Sequence, residues 1–173
     1  MDVYPISEDT LLILKNIRCG RDVLDMGTGN GEIAIECAKR GSKVTAVDID
    51  PEAIDYSKTR ARREGVKIKF IVSNLFEDVQ GRYDTIIFNP PYLPGEAKSI
   101  KDMQWAGGKH GDDTTIRFLE EAWKHLKPDG EIYIILSSFN RIKEILKMPY
   151  EFTLIDRMKL SFHEIYLYRA RKN

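Results

Sequence analysis

The feature that constrains this chain most is an alternation: short, almost wholly apolar runs, each followed by a turn and a stretch with helical spacing. Residues 22–26 (DVLDM) read as a buried strand, followed by a glycine-rich turn and a helix over about 31–40, in which Ile33, Cys37 and Ala38 share one face. KVTAVDI (43–49) is a second strand, and PEAIDYSKTRARREG (51–65) a helix that closes on Gly65. VKIKFIVS (66–73) and YDTIIFN (83–89) are the third and fourth strands. TTIRFLEEAWKHLKPDG (114–130) is predicted as a helix with Leu119, Trp123 and Leu126 on one face, stopped by Pro128 and Gly130. EIYIILS (131–137) is the fifth strand, 140–148 a short helix, and 152–170 alternates like a two-stranded hairpin. Continuous apolar strands separated by helices specify an α/β domain with a mostly parallel sheet. With no repeats and no linker composition, the 173 residues are expected to form a single domain, 1–173.

Charge and targeting signals narrow the function classes. Lys plus Arg and Asp plus Glu both count 27, so the net charge is zero. Proteins that bind nucleic acid through its phosphates usually carry a basic surplus, so a nucleic-acid partner is not favoured. The one basic run, KTRARREGVKIK (58–69), reads first as a solvated helix end whose cations suit the C-terminal dipole. No stretch is long enough to span a bilayer, and the first ten residues lack a basic n-region, so a cytoplasmic location is expected. Cys19 and Cys37 belong to no metal-type cluster and are expected to be reduced thiols, with no metal of the protein's own.

In sheets of this kind ligands bind beyond the carboxyl ends of the strands. After strand one comes LDMGTGNGE, with Asp25, Gly27, Thr28, Gly29 and Gly31. The spacing is G-x-G-x-G rather than the dinucleotide G-x-G-x-x-G, and a carboxylate two residues before the first glycine repels a phosphate but suits a cation. After strand two, Asp48 is the candidate for the two hydroxyls of a ribose, with Ile49 beside it, because Asp50–Pro51–Glu52 reads as a helix cap. After strand three, Asn74, followed by Leu75, could pair with an adenine edge, although the position equally suits a turn asparagine. These pieces describe a pocket for an adenosine that carries positive charge and no phosphate.

Strand four ends in Asn89-Pro90-Pro91-Tyr92. Proline cannot donate to a strand ladder, so the strand stops there in a stiff polar corner. An amide or exocyclic amine is a poor nucleophile because its lone pair is delocalised into a π-system. The Asn89 side-chain carbonyl and the Pro90 backbone carbonyl can each accept one of its N–H hydrogens, which localises the lone pair and aims it. Pro90 and Pro91 fix φ and so preorganise the acceptors, while Tyr92 offers a face to a planar substrate. Holding such a nucleophile in line lowers a barrier by on the order of 7 kcal/mol in good cases.

With these residues in order, the chain resembles the class I S-adenosylmethionine-dependent methyltransferases: VLDMGTGNGEIAI, VTAVDIDPEAI, SNLFE and NPPY fall in that family's order and spacing. The resemblance implies a Rossmann-like fold with a mostly parallel seven-stranded sheet, a C-terminal antiparallel hairpin and helices on both faces. It implies S-adenosyl-L-methionine as cofactor, with Asp25 near its methionine amino group, the Gly27–Gly31 turn against it and Asp48 on its ribose. Family members often carry Asp where this chain has Asn74. More narrowly, VYPISEDTLLIL (3–14), WAGGKHGDDTTIRFLEEAWKHLKPDGEIYII (105–135) and SFHEIYLYRA (161–170) resemble the HemK-like release-factor glutamine methyltransferases of the short archaeal and eukaryotic branch.

That branch implies methylation of the glutamine in the Gly-Gly-Gln loop of a peptide chain release factor, and a small zinc-binding activator that covers one sheet edge. The third strand would be such an edge, though Lys67 and Lys69 on it read first as protection against edge pairing. An adenine-N6 methyltransferase acting on RNA or DNA would use the same clamp, and a non-catalytic cofactor-binding subunit is the reading from another class. Segment 93–111 is expected to be an active-site lid, with Trp105 as a substrate contact and Gly107 and Gly108 as further candidates. In the N-terminal segment 1–20, Glu8, Asp9 and Thr10 either close over the cofactor or cap the first helix.

Overall fold

A computed structural model describes residues 6–95, 97–100 and 102–173. Its strands are β1 (Asp22–Met26), β2 (Lys43–Asp48), β3 (Ile68–Val72), β4 (Tyr83–Phe88), β5 (Leu126–Ser137), β6 (Tyr150–Lys159) and β7 (Glu164–Lys172). Its helices are α1 (Glu8–Asn16), α2 (Glu32–Lys39), α3 (Pro51–Arg63), α4 (Asp113–Ala122) and α5 (Ile142–Ile145). The strands form one sheet in the order β3-β2-β1-β4-β5-β7-β6. The first five run parallel, and β7 enters antiparallel between β5 and β6. The expected third-strand edge is therefore present in β3, and the C-terminal hairpin closes the opposite side. The first five residues of the N-terminal segment lie outside the described residues, and none of the described helices is long and apolar enough to cross a membrane.

Side chains of a strand alternate between faces, and β5 feeds two cores in this way. Ile132, Ile134 and Leu136 pack with Phe118 and Leu119 of α4 and Ile145 of α5. Tyr133 and Ile135 pack on the other face with Leu12 and Ile13 of α1 and Ile33, Ala34 and Cys37 of α2. Helices thus cover both faces, and the central strands are mostly apolar because they are buried on both sides. Chain order reverses between β1 and β4, which places a crevice at their carboxyl ends. Met26 and Phe88 are register partners there, so the glycine turn and the proline corner leave the sheet side by side.

Three expectations are corrected. The predicted 114–130 helix stops at Ala122, tightens into a 3-10 turn over Trp123–His125, and gives way to β5 at Leu126. Pro128 and Gly130 sit inside β5, where the pairing with β4 shifts register between Tyr83 and Thr85. Trp123 consequently leaves the buried stripe: it is 48% exposed, and its Nε1 donates to Glu120 O at 3.1 Å. The short helix is confined to Ile142–Ile145, so Asn140 and Arg141 precede it. Cys19 and Cys37 are bonded to each other rather than free, since α2 brings Cys37 to a Cα–Cα distance of 5.8 Å from Cys19, within reach of a disulfide. Cys37 is fully buried in the α1–α2 core all the same.

Candidate active site

The turn after β1 is held by its own backbone and by two carboxylates. Gly27 and Gly29 adopt left-handed φ of 68° and 55°, a conformation side chains strain to reach. Asp48, at the end of β2, accepts from Gly29 N and from Asp50 N, both at 2.9 Å. It thereby ties the glycine turn to the start of α3. Asp50 accepts from Glu52 N and caps α3, with Pro51 as its first residue, as the sequence indicates. Asp25 lies beneath the turn, 2% exposed, and accepts from the Thr28 hydroxyl at 2.7 Å. Burial pushes its carboxyl up to about 7, against the Thr28 hydrogen bond, and neighbouring Asp48 adds to the rise. Burial likewise raises Asp48, opposed by the N–H groups of Asp50 and Gly29. Arg60, from the basic run, is not simply solvated: it donates to Asn30 O and pairs with Glu32 at 2.8 Å, bracing the turn from α3.

These elements surround a cavity of about 480 Å³ beyond the carboxyl ends of β1 to β4. Gly27, Thr28, Gly29, Asp48, Ile49, Asn74, Leu75, Asn89 and Pro91 all line it. Asp25, Gly31, Pro90, Tyr92 and Trp105 do not. Leu75 is the one non-glycine residue with positive φ among those described, at 52°, a strain held where it faces the cavity. Ser73 stabilises that bend, its hydroxyl donating to Leu75 O and accepting from Asp78 N. The charged lining comprises Glu32, Asp48 and Asp113 against Arg117, an excess of carboxylates that suits a cationic ligand and opposes a polyphosphate.

Asn89 is the decisive residue. Its Oδ1 is buried, and no donor among the described residues reaches it. A buried acceptor left unpaired costs about 1–3 kcal/mol, and the residue that bears it lines the cavity. Thr115 Oγ1 and His163 Nε2 are also unpartnered, but neither lines the cavity. Tyr92 donates its hydroxyl to Asp9 Oδ2 at 3.2 Å. Burial and the Asp9 carboxylate hold its phenol well above the ordinary tyrosine range, so it stays a proton donor to Asp9 rather than a base.

The N-terminal segment takes both of its expected roles only in part. Ser7 and Thr10 line the cavity, yet Ser7 at the start of α1 makes no side-chain capping bond. In segment 93–111, Ala97, Met103, Ala106, Gly107 and Gly108 cover the cavity, whereas the Trp105 ring packs outward over Gly95 and is 43% exposed. Sequence reasoning did not single out Glu32, Arg117 or Asn140. For Asn140 the signal was weak, since Asn89 directly follows β4 whereas Asn140 lies in the turn beyond Ser137 at the end of β5.

Comparisons with known proteins agree on a group. The family described as "Methyltransferase small domain" matches residues 6–159. A Methanocaldococcus jannaschii protein named for protein N5-glutamine methyltransferase activity is 37% identical over 98% of this chain and 91% of its own length. A release factor glutamine methyltransferase of Koribacter versatilis is 41% identical over 63% of this chain, which spans 44% of that protein. The structure of the E. cuniculi Mtq2–Trm112 complex, described as responsible for methylation of the termination factor eRF1, superposes with a TM-score of 0.76 at 23% identity, covering 100% of both chains.

Proposed function

Since the chain belongs to the methyltransferase small-domain family, we propose that it transfers a methyl group from S-adenosyl-L-methionine to the side-chain amide nitrogen of the glutamine in the Gly-Gly-Gln loop of a peptide chain release factor. The observation that carries this is the buried, unpaired Asn89 Oδ1 at the wall of an acid-lined cavity. The names of the M. jannaschii and K. versatilis relatives favour a glutamine acceptor over adenine.

The residues present fit the cofactor. Two left-handed glycines give close backbone approach, the Asp48 carboxylate at the cavity wall can accept from ribose hydroxyls, and Asn74 and Leu75 flank the place of a base. When bound, S-adenosylmethionine supplies an electrophilic methyl on a sulfonium centre. Asn89 Oδ1 and the Pro90 carbonyl accept the two hydrogens of the substrate amide, localising its lone pair on nitrogen and pointing it at the methyl. Pro90 and Pro91 hold those acceptors without reorganisation. Tyr92, fixed by Asp9, packs behind the cavity wall and anchors the end of the corner. No base is required before transfer, because the nitrogen becomes acidic only once it carries the methyl; its proton then leaves past the Asn89 and Pro90 acceptors.

A small activator protein would find an open edge at β3, where Val72 is 45% exposed between half-buried Ile71 and the end of the strand, and the fold neighbour Mtq2 was solved in complex with Trm112. The test is incubation with S-adenosylmethionine and, separately, the organism's release factor and its total RNA, followed by mass spectrometry. A methyl on the Gly-Gly-Gln glutamine is expected; methyladenine in RNA with an untouched release factor would overturn the assignment of the acceptor.

A further inference from the structure

We propose that Asn140 is a positioning residue for the Asn89–Tyr92 corner, holding its backbone from behind so that the acceptors of the clamp keep their aim. The inference rests on the clamp reading above and extends it to a residue that touches neither cofactor nor substrate.

Asn140 follows the end of β5 and is 8% exposed. Its amide is committed in three directions. Oδ1 accepts from Ser137 N at 2.7 Å, anchoring the side chain to the strand end. Nδ2 donates to Tyr92 O at 3.2 Å and to His110 O at 3.1 Å, so its two hydrogens join segments 48 and 30 residues away. Only an amide supplies one acceptor and two donors in this geometry. The backbone of 107–111 is pressed against the same corner. A Cβ on Gly107 would come within 2.4 Å of Pro91 O, and one on Gly111 within 2.2 Å of Tyr92 O and 3.0 Å of Asn140 Nδ2. The next residue repeats the attachment: Arg141 N donates to Asp112 Oδ2 at 2.7 Å, and its guanidinium to Asp112 Oδ1 at 2.7 Å, with the Asp112 carboxylate fully buried.

The tip of β5 therefore fastens both the catalytic corner and the segment that covers the cavity. Pro90 and Pro91 remove rotation about φ, but they do not fix ψ or the plane of the Tyr92 carbonyl. A hydrogen bond to that carbonyl supplies the missing restraint. Displacement of reacting groups by about 1 Å costs on the order of 100-fold in rate, so a residue that limits such motion acts on kcat rather than on binding.

The test uses the full chain and the variants Asn140→Ala, Asn140→Asp and Asn140→Ser, with Asn89→Ala and the core variant Leu126→Val for comparison. Turnover, KM, cofactor affinity by calorimetry and Tm are measured on whichever acceptor the wild-type protein methylates. In Asn140→Ala, kcat should fall by roughly 10- to 100-fold with cofactor affinity and KM little changed. Leu126→Val, a buried change at the opposite end of β5 from Asn140, should lower Tm and keep its kcat. Asn140→Asp, which faces two carbonyls with a carboxylate, should lose at least as much. Because Asn140 acts through the clamp, Asn89→Ala/Asn140→Ala should lose no more than Asn89→Ala alone.

Independently of turnover, hydrogen exchange at Tyr92 and Leu93 should quicken in Asn140→Ser while β4 amides stay protected. Wild-type kcat in folded Asn140→Ala, additive losses in the double variant, or unchanged exchange at the corner would each overturn the proposal. If Asn89→Ala itself retains turnover, it is the clamp that fails, and the exchange measurement alone then decides the role of Asn140.

Discussion

The two halves of the cavity are built differently. On the cofactor side the contacts are short in sequence: Thr28 binds Asp25 three residues away, Asp50 N binds Asp48 two away, and Asp48 reaches Gly29 across neighbouring strands. On the acceptor side the corner 89–92 is fixed by residues from far along the chain, with Asp9 holding Tyr92 from 83 residues away and Asn140 from 48. The first half satisfies its own polar groups. The second leaves Asn89 Oδ1 buried and unpaired. Self-satisfied backbone gives a rigid receptor for a methyl donor that is bound afresh at every turnover. On the proposed reading, that restrained but unpaired acceptor has its hydrogen bond completed by the molecule to be modified.

The sharpest way to break this contrast is Asn89→Ala. It should lower turnover by about 100-fold or more and leave cofactor affinity unchanged in calorimetry; a drop in affinity of similar size would mean that the halves are not separable. Next in size is Gly111→Ala, which forces a Cβ onto Tyr92 O at φ +76°. A loss of about 1–3 kcal/mol in denaturant unfolding is expected, with turnover suffering beyond what the folded fraction explains. Asp48→Ala should weaken cofactor binding by about 10-fold, the worth of one lost charged hydrogen-bonding group, while the acceptor KM holds; an unchanged dissociation constant would move the ribose contact elsewhere.

The smallest effect concerns pH. Asp25 has a folded pKa of about 7, raised by burial from an unfolded value near 4. The folded state therefore binds more protons between those values, so this group's contribution is full below about pH 4 and is lost as pH rises towards 7. Asp25→Asn should flatten the decline of Tm across that window. An identical slope in the variant would show that Asp25 is ionised beneath the turn.

Much of the fold was readable because its signals are local. Strand runs at 22–26 and 43–49, the Asp50–Pro51 cap and the hairpin tail each depend on neighbours in the chain, and each lies within a residue or two of its predicted place. The errors fall where one local signal has two meanings. Pro128 and Gly130 can end a helix or sit in a strand that slips its register, and only the pairing of β5 with Tyr83 and Thr85 decides between them. Trp123 fits a helical stripe on paper, but the stripe ends at Ala122, after Phe118 and Leu119 have filled the space against β5. Cys19 and Cys37 read as separate thiols because nothing in an 18-residue spacing says that α2 folds back to bring them together.

The layered α/β architecture, the glycine turn, the Asp50–Pro51 cap and the proline corner are legible in the chain alone, since each follows from the conformational limits of consecutive residues. Tertiary structure alone decided which of those residues share a cavity. It turned Asp25 beneath the turn rather than into the space, and it sent the Trp105 ring outward while Gly107 and Gly108 took the wall. It also brought Asp9 and Asn140 to the corner. The physical reason is that hydrogen bonds between distant segments depend on the register and twist of the whole sheet, which no short window of sequence contains.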